Sequence, residues 1–234
     1  MNRPEMVIFD AGRTLIDYAS MDTLKGVRAF MPYLIKNVRQ LSAEEIDRQT
    51  GRVFELFETN RKQQFEVPEQ TILRLVNDLL GLEFSISLAE LERIIRNEDM
   101  EKVAVPHARE LLDGLNRLGI KTAVISNLDF SGYLLCEALD GLFPGNRFEF
   151  VVASSDYGVR KPDSIIFEAG IAKSGLPAGS IWYVGDKIPA DVEGSQRAGM
   201  VPVLYRHPKN RYGEMPKDVL DIDDLLDLLK HIPD

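Results

Sequence analysis

The stretch Met6-Val7-Ile8-Phe9-Asp10-Ala11-Gly12-Arg13-Thr14-Leu15 places four consecutive apolar residues directly before an aspartate, with a glycine close behind. A short, continuous apolar run that ends at turn-forming residues is typical of a strand buried on both faces. Strands of this kind belong to parallel sheets, whose two faces are covered by helices. The stretch therefore predicts a central strand of a parallel sheet, with Asp10 at its carboxyl end.

Similar apolar runs recur along the rest of the chain. They lie at residues 122–125, 148–152, 181–184 and 201–205. Segments with helical spacing of apolar residues accompany them, at residues 108–118, 163–174, 191–198 and 223–231. Strands that alternate with single helices imply right-handed crossover connections and a parallel sheet. We therefore predict an α/β fold with a doubly wound parallel sheet.

The segment from residue 18 to residue 103 interrupts this alternation, because its apolar spacing is helical throughout. Ser42 and Ser87 each begin a capping-box pattern, so we expect a helix to start at both. Residues 68–80 predict a third helix that begins at a proline, and residues 22–38 a fourth that a proline interrupts. We predict two units, an α/β core domain of residues 1–17 and 104–234 and an inserted α-helical cap domain of residues 18–103.

Composition excludes several classes of protein. The 234 residues are 44% hydrophobic and 28% charged, which is ordinary for a globular chain and unlike a disordered chain, a fibre or a small disulfide scaffold. The net charge of −9 comes without a basic stripe, so we expect neither a nucleic-acid partner nor a membrane-surface partner. With one cysteine, Cys136, and no apolar leader or run of membrane-spanning length, we expect a cytoplasmic protein.

Four groups of polar residues follow the predicted strands. They are Asp10–Leu15, Ser126–Asn127, Arg160–Asp163 and Gly185–Asp191. The carboxyl ends of parallel strands face one crevice, so we expect these groups to meet there. A carboxylate at such a position can attack phosphorus and form an aspartyl-phosphate. Paired carboxylates supply the hard oxygen ligands of Mg²⁺, and a lysine offsets the negative charge of the phosphoryl group.

The order of these motifs resembles the haloacid dehalogenase superfamily, with a helical cap inserted after the first motif. The resemblance covers nearly the whole chain, and its longest stretch lies within Gly158–Met200. It implies that Asp10 is both the nucleophile and a metal ligand. It also implies metal contacts from the backbone carbonyl of Gly12 and from Asp186, with Asp191 supporting the metal site.

The resemblance assigns the remaining motifs to the phosphoryl group. Ser126 and Lys161 would hold it, with Lys161 also acting in catalysis, and Asn127 would border it. Arg13 is either a solvated loop cation or a substrate contact, and both interpretations remain open. The leading hypothesis is a Mg²⁺-dependent hydrolase of a small phosphorylated metabolite, with the cap choosing the substrate.

One position departs from the pattern of the superfamily. Its phosphatases usually carry a second aspartate two residues after the nucleophile, where this chain has Gly12. That aspartate protonates the leaving group, and losing a positioned acid typically costs about 10²–10⁴ in rate. Arg13 also replaces a common glycine. A glycine at position 12 raises the further expectation of a backbone with positive φ, which an aspartate would strain.

Alternative interpretations remain for the motifs and for the function. Taken alone, Asp10 and Asp186 each fit a turn residue or a helix cap better than a catalytic role, and only the conjunction of the motifs favours chemistry. A 2-haloacid dehalogenase also fits a missing second aspartate, because halide leaves without a proton, although such relatives use no metal. A non-catalytic module that binds phosphate or a metabolite is the third hypothesis, supported by Gly12 alone.

Overall fold

The computed structural model describes residues 2–214, 217 and 219–233. Its strands are β1 (Met6–Phe9), β2 (Ile16–Met21), β3 (Leu34–Asn37), β4 (Leu82–Phe84), β5 (Met100–Ala104), β6 (Lys121–Ser126), β7 (Val151–Ala153), β8 (Ile181–Gly185), β9 (Val201–Tyr205) and β10 (Leu220–Ile222). Its α-helices are α1 (Thr23–Phe30), α2 (Ala43–Leu56), α3 (Glu58–Lys62), α4 (Glu69–Leu80), α5 (Leu88–Glu98), α6 (Ala108–Arg117), α7 (Gly132–Leu142), α8 (Ser154–Tyr157), α9 (Ser164–Ser174) and α10 (Gly194–Arg197).

Six parallel strands form the main sheet, in the order β10-β9-β8-β1-β6-β7. The strand β1 lies between β6 and β8, with Met6 opposite Lys121 on one side and Ile181 on the other. The strand order reverses on the two sides of β1, as in a doubly wound sheet. The prediction of this fold class is confirmed, and Asp10 follows an inner strand as expected.

The alternating side chains of β1 explain why its sequence is apolar without interruption. Val7 and Phe9 belong to a core shared with α6, α7 and the 3₁₀ helix Leu225–His231. Met6 and Ile8 point to the opposite face and pack into a second core with residues of α9. Both faces of the strand are therefore buried, which explains why every residue of β1 is apolar.

The predicted helical segment contains five helices, α1–α5, and four of them, α1, α2, α4 and α5, share a hydrophobic core of their own around Ile72, Val76 and Leu91. The expectation of helical structure throughout is wrong, however. The strands β2 and β5 pair antiparallel where the segment begins and ends, and β3 pairs with β4. These strands are short, so their two-residue period is masked by the longer helical pattern around them.

The predicted helix boundaries have a mixed outcome. Ser42 and Ser87 are confirmed as N-caps, with the reciprocal capping box present at Ser87. Helix α4 ends at Leu80, as predicted, and the next residue, Gly81, is left-handed. The helix predicted over residues 22–38 is wrong in its second half, because α1 stops at Phe30, ahead of the proline, and the chain continues as a 3₁₀ turn and then β3.

A buried charged cluster joins the helical segment to the core. Arg96 donates two hydrogen bonds of 2.7 Å to Glu69 and one of 2.9 Å to Asp99. Asp129, in the loop after β6, accepts a hydrogen bond of 2.9 Å from Arg61 of α3. Burial favours the neutral form of Glu69 and raises its pKa, and the charge of Arg96 acts against this rise. We call these five residues the junction cluster.

None of the helices in the described part of the chain is long and apolar enough to cross a membrane.

Candidate active site

The carboxyl ends of the central strands bring the predicted polar motifs together. Asp10 follows β1, Ser126 is the last residue of β6, and Asp186 follows β8. Lys161 comes from the loop before α9, and Asp191 comes from a π-helical turn, Ile188–Glu193, after β8. All five residues are at most 4% exposed. Sheet topology therefore gathers residues that are up to 181 positions apart in sequence.

Lys161 is the buried cation of the site. Its ammonium nitrogen donates to Asp10 Oδ1 at 2.7 Å, to Asp191 Oδ1 at 2.6 Å and to the hydroxyl of Tyr183 at 2.8 Å. These contacts use all three hydrogens of the ammonium group. Burial opposes the charge of Lys161, but the two carboxylates outweigh it and raise its pKa well above the ordinary value.

Three carboxylates surround one point in the site. One oxygen from each of Asp10, Asp186 and Asp191 lies within 4.8 Å of the other two. Burial, with the nearby charges of Asp10 and Asp191, raises the pKa of Asp186 to about 7. A single buried ammonium thus faces three acids. Divalent cations are the ordinary means by which proteins relieve such crowding.

Asp186 carries the strongest sign that a cation belongs there. Its Oδ2 accepts a hydrogen bond of 2.6 Å from Asn210, while its buried Oδ1 has no hydrogen-bond partner among the described residues. A buried carboxylate oxygen without a donor is costly, and Mg²⁺ prefers such oxygens as ligands. The residues present therefore fit a Mg²⁺ ion held by Asp10 and Asp186.

Asp191 differs from the other two acids, because both of its oxygens already accept hydrogen bonds. Oδ1 accepts from Lys161, and Oδ2 accepts from the backbone amide of Lys187 at 2.9 Å. A side chain at Gly185 would overlap the carboxyl group of Asp191, so only glycine allows this close approach. Asp191 therefore holds the lysine and the loop that follows β8 in place.

Ser126 and Asn127 have separate structural tasks. The Ser126 hydroxyl donates to Asp10 Oδ1 at 3.2 Å. The side-chain amide of Asn127 donates to the carbonyl of Lys161 and accepts from the amide of Lys161, both at 2.8 Å. This reciprocal pair fixes the loop that carries the lysine. Both residues line the same cavity as Asp10, with a volume of about 50 Å³.

The structure corrects one expectation about the loop after β1. Gly12 does not adopt positive φ, whereas the next residue, Arg13, has a φ of 62°. A Cβ atom at Gly12 would meet only Tyr18, at 3.8 Å or more, so a side chain is sterically allowed there. The exposed guanidinium of Arg13 donates to Asn210 Oδ1 at 2.8 Å. Arg13 is not among the residues that line the cavity, and its contact with substrate stays a prediction.

The sequence did not indicate three residues of the site. Tyr183 accepts from Lys161 and donates to the carbonyl of Ile125 at 2.9 Å, yet within β8 it is indistinguishable from a core aromatic. Asn210 lies in a polar loop with no motif around it. Tyr18 lines the cavity from β2, and burial, with the charge of Asp10, raises its pKa to about 12. Its hydroxyl is therefore protonated at neutral pH.

A larger cavity of about 490 Å³ lies inside the helical segment. Its walls are mostly apolar side chains of α1, α2, α4 and α5, and the junction residues Glu69, Arg96, Asp99 and Asp129 are part of its lining. Its lining includes none of the strand-end residues Asp10, Ser126, Lys161, Asp186 and Asp191. Asp10, Ser126, Lys161 and Asp191 line the smaller cavity at the sheet edge instead.

A parallel sheet that gathers buried aspartates and a lysine at its carboxyl edge defines the molecule as a Rossmann-like α/β protein with a carboxylate site. The chain belongs to the haloacid dehalogenase-like hydrolase family, whose model matches residues 4–199. The family that the order of the motifs indicated is therefore confirmed.

Individual relatives and solved structures agree with this assignment. The chain is 29% identical over 133 residues to a glyceraldehyde 3-phosphate phosphatase of Methanocaldococcus jannaschii. The aligned region covers 54% of this chain and 57% of that relative. The chain thus spans about half the length of the curated relatives it matches.

Two crystal structures share the fold over almost the whole chain. A 2-haloacid dehalogenase from Pseudomonas syringae pv. Tomato superposes with a TM-score of 0.66 at 20% identity, over 98% of this chain and 97% of that one. A haloacid dehalogenase-type phosphatase from Thermococcus onnurineus has a TM-score of 0.63 at 21% identity, over 99% and 97%. At these identities the likeness extends to the fold alone.

Proposed function

We propose that the protein is a Mg²⁺-dependent phosphatase of a small phosphorylated metabolite, with Asp10 as the covalent nucleophile. The unpartnered Oδ1 of Asp186, buried beside two further carboxylates, is the observation that carries this proposal. A metal-independent dehalogenase would have no use for that oxygen. The phosphatase named among the relatives supports the same class of substrate.

The residues of the site suit two successive displacements. An oxygen of Asp10 attacks phosphorus, the bond to the leaving alcohol breaks, and water later hydrolyses the aspartyl-phosphate. Asp10, Asp186 and the carbonyl of Gly12 would hold Mg²⁺, which neutralises phosphate charge when bound. Lys161 and Ser126, which both contact Asp10 Oδ1, place positive charge and a hydroxyl beside the reacting oxygen.

Residues 18–103 would act as a cap over this site. The segment enters and leaves the core through the paired strands β2 and β5, and the junction cluster fixes its base. A cap that closes over the site excludes bulk water during the attack on phosphorus and selects the substrate.

A substrate panel tests the proposal. The parent protein should hydrolyse p-nitrophenyl phosphate and small phosphorylated metabolites with Mg²⁺, lose this activity with a chelator, and leave 2-halo acids unchanged. Asp10→Asn should reduce turnover to background. Asp113→Asn, an exposed aspartate on α6, is the matched control and should keep full activity. Turnover of 2-halo acids without Mg²⁺ would overturn the proposal in favour of the dehalogenase.

A further inference from the structure

The phenol of Tyr18 lies where a side chain of residue 12 would extend. A Cβ atom built on Gly12 would be 3.8 Å from Tyr18 Cε2 and 3.9 Å from the Tyr18 hydroxyl oxygen. Tyr18 lines the same cavity of about 50 Å³ as Asp10 and Lys161. The hydroxyl is therefore close to the nucleophile, on the side of the site that Gly12 leaves open.

Most other polar donors of the cavity are already engaged. Lys161 uses its three hydrogens on Asp10, Asp191 and Tyr183. Ser126 donates to Asp10, and the amide of Asn127 donates to the carbonyl of Lys161. Each of these contacts involves either Asp10 or Lys161. None of these donors is free to meet an oxygen that leaves on the far side of phosphorus.

Tyr18 is a donor without such an engagement. Its backbone amide donates to the Asp17 side chain, but its hydroxyl makes no hydrogen bond to any described residue. Lys187 is the other lining residue whose side chain makes no hydrogen bond there, but it is exposed and its charge acts on Asp186, on the metal side. The Tyr18 hydroxyl is the better placed donor for the leaving side.

We infer that the Tyr18 hydroxyl donates a hydrogen bond to the leaving-group oxygen of the phosphate ester, in the space left by Gly12. This inference rests on the proposed phosphatase function and names a further catalytic residue for it. As the bond from phosphorus to the ester oxygen breaks, its electron pair stays on that oxygen. A donor that meets this charge stabilises the transition state more than the ground state.

The reaction balances without ionisation of the tyrosine. Asp10 gains the bond to phosphorus, and the departing alkoxide takes its proton from water. The hydroxide produced in this way is the equivalent consumed when the aspartyl-phosphate is hydrolysed, which restores the Asp10 carboxylate and releases phosphate. Tyr18 contributes a hydrogen bond throughout and returns unchanged.

The dependence of rate on the leaving group tests this role. In Tyr18→Phe, kcat on an alkyl phosphate such as ethyl phosphate should fall by about 10²-fold, the usual loss when one donor to a developing oxyanion is removed. Turnover of p-nitrophenyl phosphate should change by less than about 3-fold, because its leaving group is stable without a donor. A merely structural role would lower both rates together.

Two further variants sharpen the test. Tyr157→Phe, an exposed tyrosine of the core domain, is the control and should match the parent on both substrates. Lys187→Gln should change both substrates by the same factor. Equal loss or no loss on the two substrates in Tyr18→Phe would overturn the inference and leave the phosphatase standing. A parent protein that hydrolyses neither substrate with Mg²⁺ would overturn the proposed function and this inference with it.

Melting temperature and beryllium fluoride binding, each measured with Mg²⁺, verify that Tyr18→Phe is folded and keeps its phosphate site. If that variant does not fold, Tyr18→His replaces it, since an imidazole still offers a donor from a side chain of similar reach. Tyr18→His should then retain more activity on ethyl phosphate, relative to p-nitrophenyl phosphate, than Tyr18→Leu. Equal ratios in these two variants would overturn the inference.

Discussion

The molecule contains two buried clusters of charge that differ in how their acids are satisfied. In the junction cluster, Arg96 donates two hydrogen bonds to Glu69 and a third to Asp99. At the strand ends, Lys161 also makes three contacts, yet Asp186 lies beyond its reach and keeps one oxygen unpartnered among the described residues. Asp99 Oδ1 in the junction cluster is also without a hydrogen-bond partner in the described part of the chain, but every acid of that cluster contacts a guanidinium. Asp186 contacts no cation among the described residues and bonds only to Asn210.

This difference predicts that the two clusters affect the stability of the folded state in different ways. When buried charges are paired with good geometry, removing one partner strongly destabilises the folded state, because the other charge stays buried without a counter-ion. Buried like charges without enough cations destabilise the folded state until a cation binds, and that cost is recovered on binding. The junction cluster should therefore respond to mutation and ignore Mg²⁺, and the strand-end cluster should respond to Mg²⁺.

The largest expected effect is that of Arg96→Met. Removal of the guanidinium leaves the buried acids Glu69 and Asp99 without their cation, which should lower the free energy of unfolding by about 3–5 kcal/mol. For a chain of this size, that corresponds to a fall in Tm of roughly 6–20 °C by calorimetry. Saturating Mg²⁺ should not restore it.

The neighbouring Arg93→Met is the matched control for Arg96→Met. Arg93 lies on the same helix and pairs with Glu137 at 2.9 Å, but both side chains are 48% exposed. Exposed pairs contribute at most about 1 kcal/mol, so its Tm should move by only a few degrees. Equal Tm shifts in the two variants would show that the junction cluster contributes no more to stability than an exposed ion pair.

The next effect concerns Asp186 and pH. Its pKa of about 7 in the folded state exceeds the ordinary 3.8, so the folded state retains a proton that the unfolded state releases between these values. The free energy of unfolding should therefore fall as pH rises from about 4 to about 7, by at most roughly 4 kcal/mol from this group. Asp186→Asn should remove that part of the fall.

Denaturant unfolding of the parent and of Asp186→Asn, without Mg²⁺ and across this pH range, measures the difference. The variant should equal or exceed the parent in stability at pH 7 and lie closer to it at pH 4. If the free energies of unfolding of the parent and the variant change in parallel with pH, the strand-end acids do not destabilise the folded state by their mutual repulsion. The contrast between the two charged clusters would then disappear.

The smallest effect is that of Gly12→Asp. Because Gly12 lacks positive φ, the new side chain should not strain the backbone. If the Tyr18 hydroxyl already donates a hydrogen bond to the leaving-group oxygen, Gly12→Asp in the otherwise unchanged protein should raise the rate on ethyl phosphate by less than about 10-fold. In the Tyr18→Phe background the gain should be larger, up to about 10²-fold.

Gly51→Asp, at an open position of α2, controls for the added negative charge and should change neither background. An equally large gain from Gly12→Asp in both backgrounds would show that Tyr18 and an acid at position 12 act independently.

The sequence predicts those parts of the molecule that depend on local pattern. The apolar run before Asp10 and the caps at Ser42 and Ser87 each follow from a few neighbouring residues, and the structure contains all of them. The order of motifs placed Asp186 and Lys161 at one sheet edge, because parallel topology fixes where strand ends meet.

The remaining features depend on contacts between distant residues. The pairing of Ile16 with Ala104 joins two short strands across the whole helical segment, and no local pattern encodes it. Tyr18 and Asn210 reach the site from a strand and a loop that carry no motif. The left-handed residue is Arg13 rather than Gly12, because the loop geometry, and not residue type, decides where the chain reverses.

Binding of Mg²⁺ at pH 8 tests the central claim most directly, namely that the acids at the strand ends form a cation site. The Tm of the parent should rise with Mg²⁺, by roughly 5–11 °C at one hundred times the Kd, and that of Asp113→Asn should rise equally. Asp186→Asn should show no rise. A parent whose Tm ignores Mg²⁺, or an Asp186→Asn variant that responds like the parent, would contradict the account.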